Sequence, residues 1–390
     1  MGSSPIGRRS VLAAAGGLGA LAAGVRSGTA AASPRPGTGV VAGRLRFAPD
    51  GTFRVVQFND TQDDERTDVR TVQLIERTLD AEKPGLVVVN GDVITEGCEG
   101  RQQVKQAINN VVWPMESRAI PWALTFGNHD EDSPAAEEPD MLRFCRTYAH
   151  NVNADEQPGP TGTGNGVVEI AAPQGDRAAY AVWLIDAGRY APERIAGQDI
   201  EGYPHWDWVR GDQVGWYREQ SAALAERHGG PVPGLMFLHI PLWEFRFMWW
   251  GGVDTRTEES AARGRARHRI VGERNEDECP GPFNSGLFSA ICERGDVHGV
   301  FAGHDHVNTY CGDYYGIRLG YGPGTGFGAY GLDGPDRNRL RGARVFDLAV
   351  EGDTVRMETR LVFAKDLGID LTADDRPGDP RPLAPPQENA

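Results

Sequence analysis

Apolar residues fall along the chain in short runs separated by polar, glycine-rich joints, and the period inside each run distinguishes strands from helices. Phe53 to Asn59 (FRVVQFN) is an apolar run that stops at Asp60, and Leu86 to Asn90 (LVVVN) is another that stops at Gly91-Asp92. Such short runs, apolar on consecutive positions, predict buried strands. Between them Val69, Val72, Ile75 and Leu79 recur at helical spacing, and Pro84-Gly85 closes the segment. Gln102 to Met115 repeats the helical pattern, and Pro121 to Phe126 reads as a strand running into Gly127-Asn128-His129-Asp130. The alternation is βαβαβ, which predicts a parallel sheet with ligands gathered at the carboxyl ends of its strands.

The pattern then loosens. Glu131 to Gly164 is polar, acidic and rich in Pro and Gly, and is expected to wrap the surface. Gly166 to Ile170 and Ala178 to Asp186 read as strands, Asp212 to Arg227 as a helix, and Leu235 to Leu238 as a strand that delivers His239. An aromatic-rich insertion, Trp243 to Trp250, follows; it is either a flap of the core or a lid over a substrate, with Arg246 a candidate phosphate contact. A charged stretch runs on to Glu278, then Asn284 to Glu293 is helical and Val297 to Ala302 is a strand ending in Gly303-His304-Asp305-His306. Val345 to Val350 and Thr354 to Leu361 predict a hairpin turned at Gly352-Asp353. The Pro-rich tail, 366–390, is expected to be disordered.

Composition changes the picture at the N-terminus. Gly7-Arg8-Arg9-Ser10-Val11-Leu12 sets two arginines before a weakly apolar Ala/Gly/Leu/Val stretch that ends in small residues near Ala32. This predicts a signal peptide over 1–32, read by the bacterial twin-arginine export machinery, and a secreted, extracellular product. Forty basic against 55 acidic residues give a formal charge of -15, so a nucleic-acid-binding surface is not expected. No apolar stretch of about 18 residues follows the N-terminus, so no membrane span is expected either. The five cysteines lack zinc-finger spacing; their odd number leaves at least one thiol unpaired, and any pairing stays open.

Five predicted strands end in side chains able to hold a metal: Asp60, Asp92, Asn128, His239 and the pair His304/His306. His304 and His306 alternate across Asp305, so an extended segment would point both the same way. Carboxylate and amide oxygens mixed with imidazoles suit Mn, Fe or Zn, and so many groups suit two ions sharing a carboxylate.

These blocks, Asp60-Thr61-Gln62, Gly91-Asp92, Gly127-Asn128-His129-Asp130, His239 and Gly303-His304-Asp305-His306, resemble in order the pattern D-x-H, G-D, G-N-H-D/E, H and G-H-x-H of the calcineurin-like metallophosphoesterases. Asn284-Ser285-Gly286-Leu287-Phe288, Tyr330-Gly331 and Arg341 to Val345 are similar to the short purple-acid-phosphatase-like branch. The resemblance implies an α/β four-layer αββα sandwich over 45–365, with two central mixed sheets flanked by helices. It implies a phosphoric ester hydrolase acting on a phosphorylated small molecule, most simply a phosphomonoester, by attack of a metal-activated hydroxide. Two divalent or trivalent ions are implied: Asp92 bridges, Asp60 and His306 hold the first, and Asn128, His239 and His304 hold the second. His129 acts on the phosphoryl charge or the leaving oxygen, and Asp130 orients it.

Two departures matter. Gln62 replaces the usual His, so it is either a weak oxygen ligand or a hydrogen-bonding residue. Thr95 replaces the tyrosine that gives the purple enzymes their colour. Two alternatives follow: a phosphodiesterase acting on nucleotides or lipid head groups, or a degenerate phosphate-binding protein without activity.

Overall fold

The computed structural model describes residues 45–154, 159–254 and 256–383; the expected signal peptide lies outside them. The chain runs β1 (Thr52–Phe58), α1 (Val69–Glu82), β2 (Leu86–Asn90), α2 (Arg101–Glu116), β3 (Trp122–Thr125), α3 (Glu138–Cys145), β4 (Gly166–Ala171) and β5 (Ala178–Ile185). A two-stranded ribbon, β6 (Arg194–Ile195) and β7 (Gln198–Asp199), precedes α4 (Gly211–His228), β8 (Gly234–Leu238), α5 (Trp243–Trp250), α6 (Glu258–His268) and α7 (Leu287–Arg294). The chain ends with β9 (Val297–Ala302), β10 (Cys311–Tyr314), β11 (Ile317–Tyr321) and the hairpin β12 (Gly342–Glu351) and β13 (Thr354–Phe363).

The strands form a five-stranded sheet in the order β13-β12-β1-β2-β3 and a six-stranded sheet in the order β10-β11-β9-β8-β5-β4. Both are mixed: β1, β2 and β3 are parallel and β12 is antiparallel to β1, while β5, β8, β9 and β11 are parallel and flanked by antiparallel β4 and β10.

Alternation along each strand explains the layers. In β1 and β2, Val55 and Val88 turn inward to meet Val182, Leu235, Phe237 and Phe301 of the other sheet. Their neighbours Val56, Val87 and Val89 face outward onto Ile75 and Leu79 of α1 and Ile108 and Val112 of α2. On the far side Trp183, Met236 and Val300 pack on Tyr217 of α4, Phe245 of α5 and Ile291 of α7. Helices, sheet, sheet and helices make the four-layer sandwich that the sequence blocks imply. A strand sandwiched in this way needs apolar side chains on both faces, which is why LVVVN is buried throughout.

Polar side chains at the strand ends stitch the two sheets together along one rim. Asn90 Nδ2 donates to the Leu238 carbonyl at 3.0 Å and the Phe301 carbonyl at 3.3 Å, Gln57 Nε2 to Ala302 O at 3.1 Å, and Thr125 Oγ1 to Ile185 O at 3.0 Å. The ends of β1, β2 and β3 are thereby held against those of β5, β8 and β9.

Several elements depart from expectation. The stretch expected as a surface loop contains α3, whose Met141, Leu142 and Cys145 are buried; its apolar positions are too few to stand out among the acids around them. The charged stretch contains α6, which is capped by the Thr257 side chain and hides little more than Ala261, Gly264 and His268. Strands β10 and β11 escape notice because CGDY and IRLGY are short and broken by glycine. The aromatic insertion is helix α5, with Phe245, Met248, Trp249 and Trp250 in the core, and Arg246 is drawn to Glu278 instead of standing free.

The tail is the largest difference. Where composition predicts disorder, residues 372–383 lie along α1 and α2. Val69 N donates to Arg376 O at 2.9 Å, and Gly378 N to Arg66 O at 3.0 Å. The buried Arg70 guanidinium donates to Thr372 O at 2.6 Å and Asp374 O at 2.8 Å, and Asn109 Nδ2 to Pro382 O at 3.3 Å. The carbonyls of this extended tail are bound by side chains and backbone of the neighbouring helices without a sheet ladder, and its prolines leave no N–H to satisfy.

Candidate metal centre

The stitched rim carries the sequence-predicted residues. Asp60 follows β1, Asp92 follows β2 and His304 follows β9, and each takes a left-handed backbone, with φ of 51°, 51° and 73°; Gln62 does the same at 38°. Non-glycine residues in this region are strained by about 1–3 kcal/mol each, and such strain gathers at functional sites. Gly91, with φ of 81°, is required where it stands: a Cβ there would lie 2.5 Å from His239 Nδ1.

The sharp turns bring the side chains together. Asp60, Asp92 and His239 are buried, with ligand atoms all within 4.8 Å of one another. His239 Nε2 lies 3.0 Å from Asp92 Oδ2 and 3.7 Å from Asp60 Oδ1, and His306 Nε2 lies 3.4 Å from Asp60 Oδ1. The His304 and His239 ring centres are 5.4 Å apart. The expectation that His304 and His306 share one face of an extended segment does not hold. The segment is a turn, and it sets His304 against His239 and Trp206 while His306 stacks on Tyr330 beside Asp60.

The hydrogen bonds fix which atoms are free. His239 Nδ1 lies 2.9 Å from the Asn90 carbonyl and His306 Nδ1 lies 3.3 Å from the Tyr330 carbonyl. A carbonyl only accepts, so both rings carry a proton on Nδ1 and point Nε2 inward, the atom left to bind a cation. Gln62 Oε1, Asn128 Oδ1 and His304 Nε2 are buried without a hydrogen-bond partner, and Asp92 Oδ2 and His239 Nε2 have only their 3.0 Å contact with each other. Unpartnered buried polar atoms are costly and rare, and this set offers only oxygen and imidazole nitrogen, the donors that Mn, Fe and Zn accept. These residues therefore fit a metal centre.

Electrostatics agree. Burial pushes the Asp92 carboxyl up, but the neighbouring His239 outweighs it and holds the group below the carboxylate range. Burial lowers the His239 ring, and Asp92 and Asp60 overcome this, raising it to about 10. Burial, then His239, pushes His304 well below its ordinary value, and burial also lowers His306. The pocket thus favours a cation among its carboxylates while keeping two of its imidazoles neutral.

The G-N-H-D turn is built differently from expectation. Asp130 does not touch the His129 ring. Its fully buried carboxylate accepts backbone N–H groups from Gly127 at 2.8 Å, Asp92 at 3.0 Å, Val93 at 2.7 Å and Ile94 at 3.2 Å, tying the turn after β3 to the turn after β2. Burial and the Asp92 charge raise it to about 7. The His129 ring is held by Asp132, Nδ1 to Oδ2 at 2.5 Å, and the His129 N–H donates to Asp92 Oδ1 at 2.8 Å. Asp132, Arg189, Tyr190 and Trp206 carry no motif of their own; only Asp132, three residues after a motif histidine, had a signal in its spacing. All five cysteines are free, and Cys279 offers its thiol within 4.8 Å of ligand atoms of His304 and Asp305.

Similarity to known proteins decides the family. The sequence model of the calcineurin-like phosphoesterases matches residues 53–308. The chain belongs to the calcineurin-like phosphoesterase family. Among its relatives, an Arabidopsis thaliana protein named "Probable inactive purple acid phosphatase 14" is 31% identical over 324 residues, covering 75% of each chain. "Phosphatase DCR2" of Saccharomyces cerevisiae is 26% identical over 347 residues, covering 82% of this chain and 55% of that protein. A crystal structure of a dimetal phosphatase from Danio rerio superposes with a TM-score of 0.48 at 15% identity, covering 80% of this phosphoesterase and 99% of that chain. Among the described residues of the phosphoesterase, no helix is long and apolar enough to cross a membrane.

Proposed function

We propose that this phosphoesterase is a dinuclear-metal phosphomonoesterase. The observation that carries the reading is the convergence of buried ligand atoms from Gln62, Asp92, Asn128, His239 and His304 around the Asp60-Asp92-His239 cluster. Asp60 and His306 would hold one ion, Asn128, His239 and His304 the other, and Asp92 would be shared. Gln62 would add an amide oxygen to the first. Ions bound there supply Lewis acidity toward phosphoryl oxygens and acidify a water for attack.

The chain's own residues do the rest. Asn90 and the Tyr330 carbonyl keep the proton of His239 and His306 on Nδ1, Asp130 locks the two turns that carry Asp92 and Asn128, and His129 stands ready to protonate the leaving oxygen. We further propose export of the folded protein by the twin-arginine route, a reading supported by Arg8-Arg9 and the weakly apolar run after them.

A second reading rests on Gln62. Loss of a nitrogen donor from the first site, together with "inactive" in the name of an Arabidopsis relative, favours a phosphate-binding protein without turnover. Metal analysis of the purified chain, with assays on p-nitrophenyl phosphate and its bis ester, separates the readings. Two metals per chain and monoester turnover are expected. Turnover confined to the diester redirects the proposal to a phosphodiesterase, and a metal-free, inert chain that binds inorganic phosphate overturns it.

A further inference from the structure

We infer that Asp132, Arg189 and Tyr190 form a clamp that fixes the ring of His129, acting as positioning residues for protonation of the leaving group; this rests on the phosphoesterase reading above. Asp132 belongs to the loop after β3, while Arg189 and Tyr190 belong to the loop after β5, so the clamp ties a loop of one sheet to a loop of the other.

The contacts are dense for a part-exposed site. His129 Nδ1 and Asp132 Oδ2 are 2.5 Å apart, with side chains 29% and 17% exposed. An ionised carboxylate only accepts, so the proton of that bond belongs to Nδ1 and the ring is left with Nε2 as its working atom. Asp132 is itself gripped: Arg189 Nη2 donates to its Oδ1 at 2.7 Å and the Tyr190 hydroxyl to its Oδ2 at 3.0 Å. The Arg189 guanidinium goes on to Glu131 Oε2 at 3.1 Å and, through Nε, to the backbone carbonyl of Asn128 at 3.1 Å. One planar cation thus spans the loop from Asn128 to Asp132, with His129 between its anchor points.

Tyr190 closes the arrangement. Its hydroxyl is 3.3 Å from His129 Nδ1 and its ring meets the imidazole edge to face at 6.3 Å. The loop that delivers it is secured at Asp186, which accepts from Gly188 N at 2.8 Å, and by Gln213, whose Nε2 donates to Asp186 O at 2.5 Å. The His129 N–H to Asp92 contact places the ring's backbone directly against the proposed shared carboxylate. A ring held at Nδ1 on one side and anchored by its main chain on the other has little freedom left.

As water adds its oxygen to phosphorus and the ester P–O bond breaks, the electron pair stays on the leaving oxygen, which takes a proton from Nε2 of the His129 imidazolium and leaves the neutral Nδ1–H ring that Asp132 holds. The proton lost by the attacking water passes to solvent, a proton from solvent restores Nε2–H for the next turnover, and the products are an alcohol and phosphate. Asp132 keeps its own proton count throughout and only holds the ring. Its effect should therefore appear where leaving-group protonation matters, in alkyl esters, and fade for a phenolate that departs unaided.

The test compares full-length wild type, Asp132→Ala, Tyr190→Phe, His129→Ala and the double variant D132A/H129A, with p-nitrophenyl phosphate and glycerol 2-phosphate as substrates. Asp132→Ala should lower kcat on the glycerol ester about 10- to 100-fold, the range for residues that orient a functional histidine, and on the nitrophenyl ester less than about 3-fold. Tyr190→Phe should show the same selectivity at about 3-fold. In the His129→Ala background Asp132→Ala should add less than about 2-fold, because coupled residues are not additive. A readout independent of turnover is the nitrogen-15 histidine spectrum of the metal-free chain, with the His129 signals assigned by their loss in His129→Ala. Wild type should show the Nδ1–H form, and Asp132→Ala should redistribute the proton to Nε2. Equal losses on both esters, full additivity with His129→Ala, or an unchanged tautomer in Asp132→Ala would each overturn the clamp. A wild type that holds no metal and hydrolyses neither ester sinks the proposed function, and the tautomer measurement still judges the clamp alone.

Discussion

Gly127→Ala is the smallest change that should empty the centre while leaving the fold standing. A Cβ at position 127 would lie 2.3 Å from Asp92 Oδ1, 2.5 Å from Asp92 N and 2.7 Å from His239 Cδ2. Carbon contacts are comfortable at about 3.5 Å, so roughly 1 Å of separation has to be found. None of the three neighbours can supply it cheaply. Asp92 N and Gly127 N are both bound to Asp130 Oδ2, at 3.0 and 2.8 Å, and the His239 ring is pinned to Asn90 O at 2.9 Å. Overpacking of this kind costs about 1–3 kcal/mol, well inside the roughly 5–15 kcal/mol of a folded domain, so the variant should remain folded. A displacement of about 1 Å at a reacting centre is nevertheless enough to remove about 100-fold in rate. Urea unfolding, metal per chain after dialysis and kcat on p-nitrophenyl phosphate are the measurements. The expected result is a modest loss of stability with most metal and turnover gone. A folded variant with full metal content and kcat within about 2-fold of wild type would refute the packing argument and the placement of the centre with it.

Two other perturbations address stability. Arg70 is 1% exposed and pairs with Asp68 at 2.7 Å while holding the carbonyls of Thr372 and Asp374, so Arg70→Ala removes the cation from a buried carboxylate and loosens the tail. A loss of about 3–5 kcal/mol in urea unfolding is expected, and a loss under about 1 kcal/mol would show that the pair is dispensable. Glu138 is pushed to about 10 by burial and by Asp186, so its stabilising contribution is whole below the unfolded value of 4.5 and declines as pH rises toward 10. Glu138→Gln, which stays neutral, should match wild type in Tm near pH 5 and exceed it at pH 9; a difference independent of pH contradicts the assignment.

Reading the chain alone recovers the frame because its central strands are covered on both faces. FRVVQF, LVVVN and GLMFL have to be continuous in apolar residues, and each must stop where the backbone leaves the sandwich, so the stop marks the rim. The motif residues are legible for the same reason: Asp60, Asp92, Asn128, His239 and His304 stand at those stops. What escapes is held together by relations that no local pattern carries. Helix α3 shows few apolar positions among its acids, and the tail is bound through its carbonyls to Arg70 and Asn109 and through charged side chains such as Arg381 on Glu76, contacts that leave no apolar pattern. Asp132 takes the orienting place expected of Asp130 because the tight turn sends the Asp130 carboxylate down into four backbone amides. Its partners Arg189 and Tyr190 are more than fifty residues away in sequence, and spacing gives no means of finding them.

The pairing of β1 with β12, which sets Thr52 opposite Ala349, has a consequence for the order of events at the ribosome. The second strand-forming neighbour of β1 is made almost three hundred residues after it, and Asp60 meets the His304 N–H, 244 residues downstream, and the His306 ring only once that segment has emerged. Closing so long a loop adds little free energy but slows folding. The nascent chain must therefore keep an open sheet edge until β12 has been made, and the centre is assembled only after His304 and His306 have emerged.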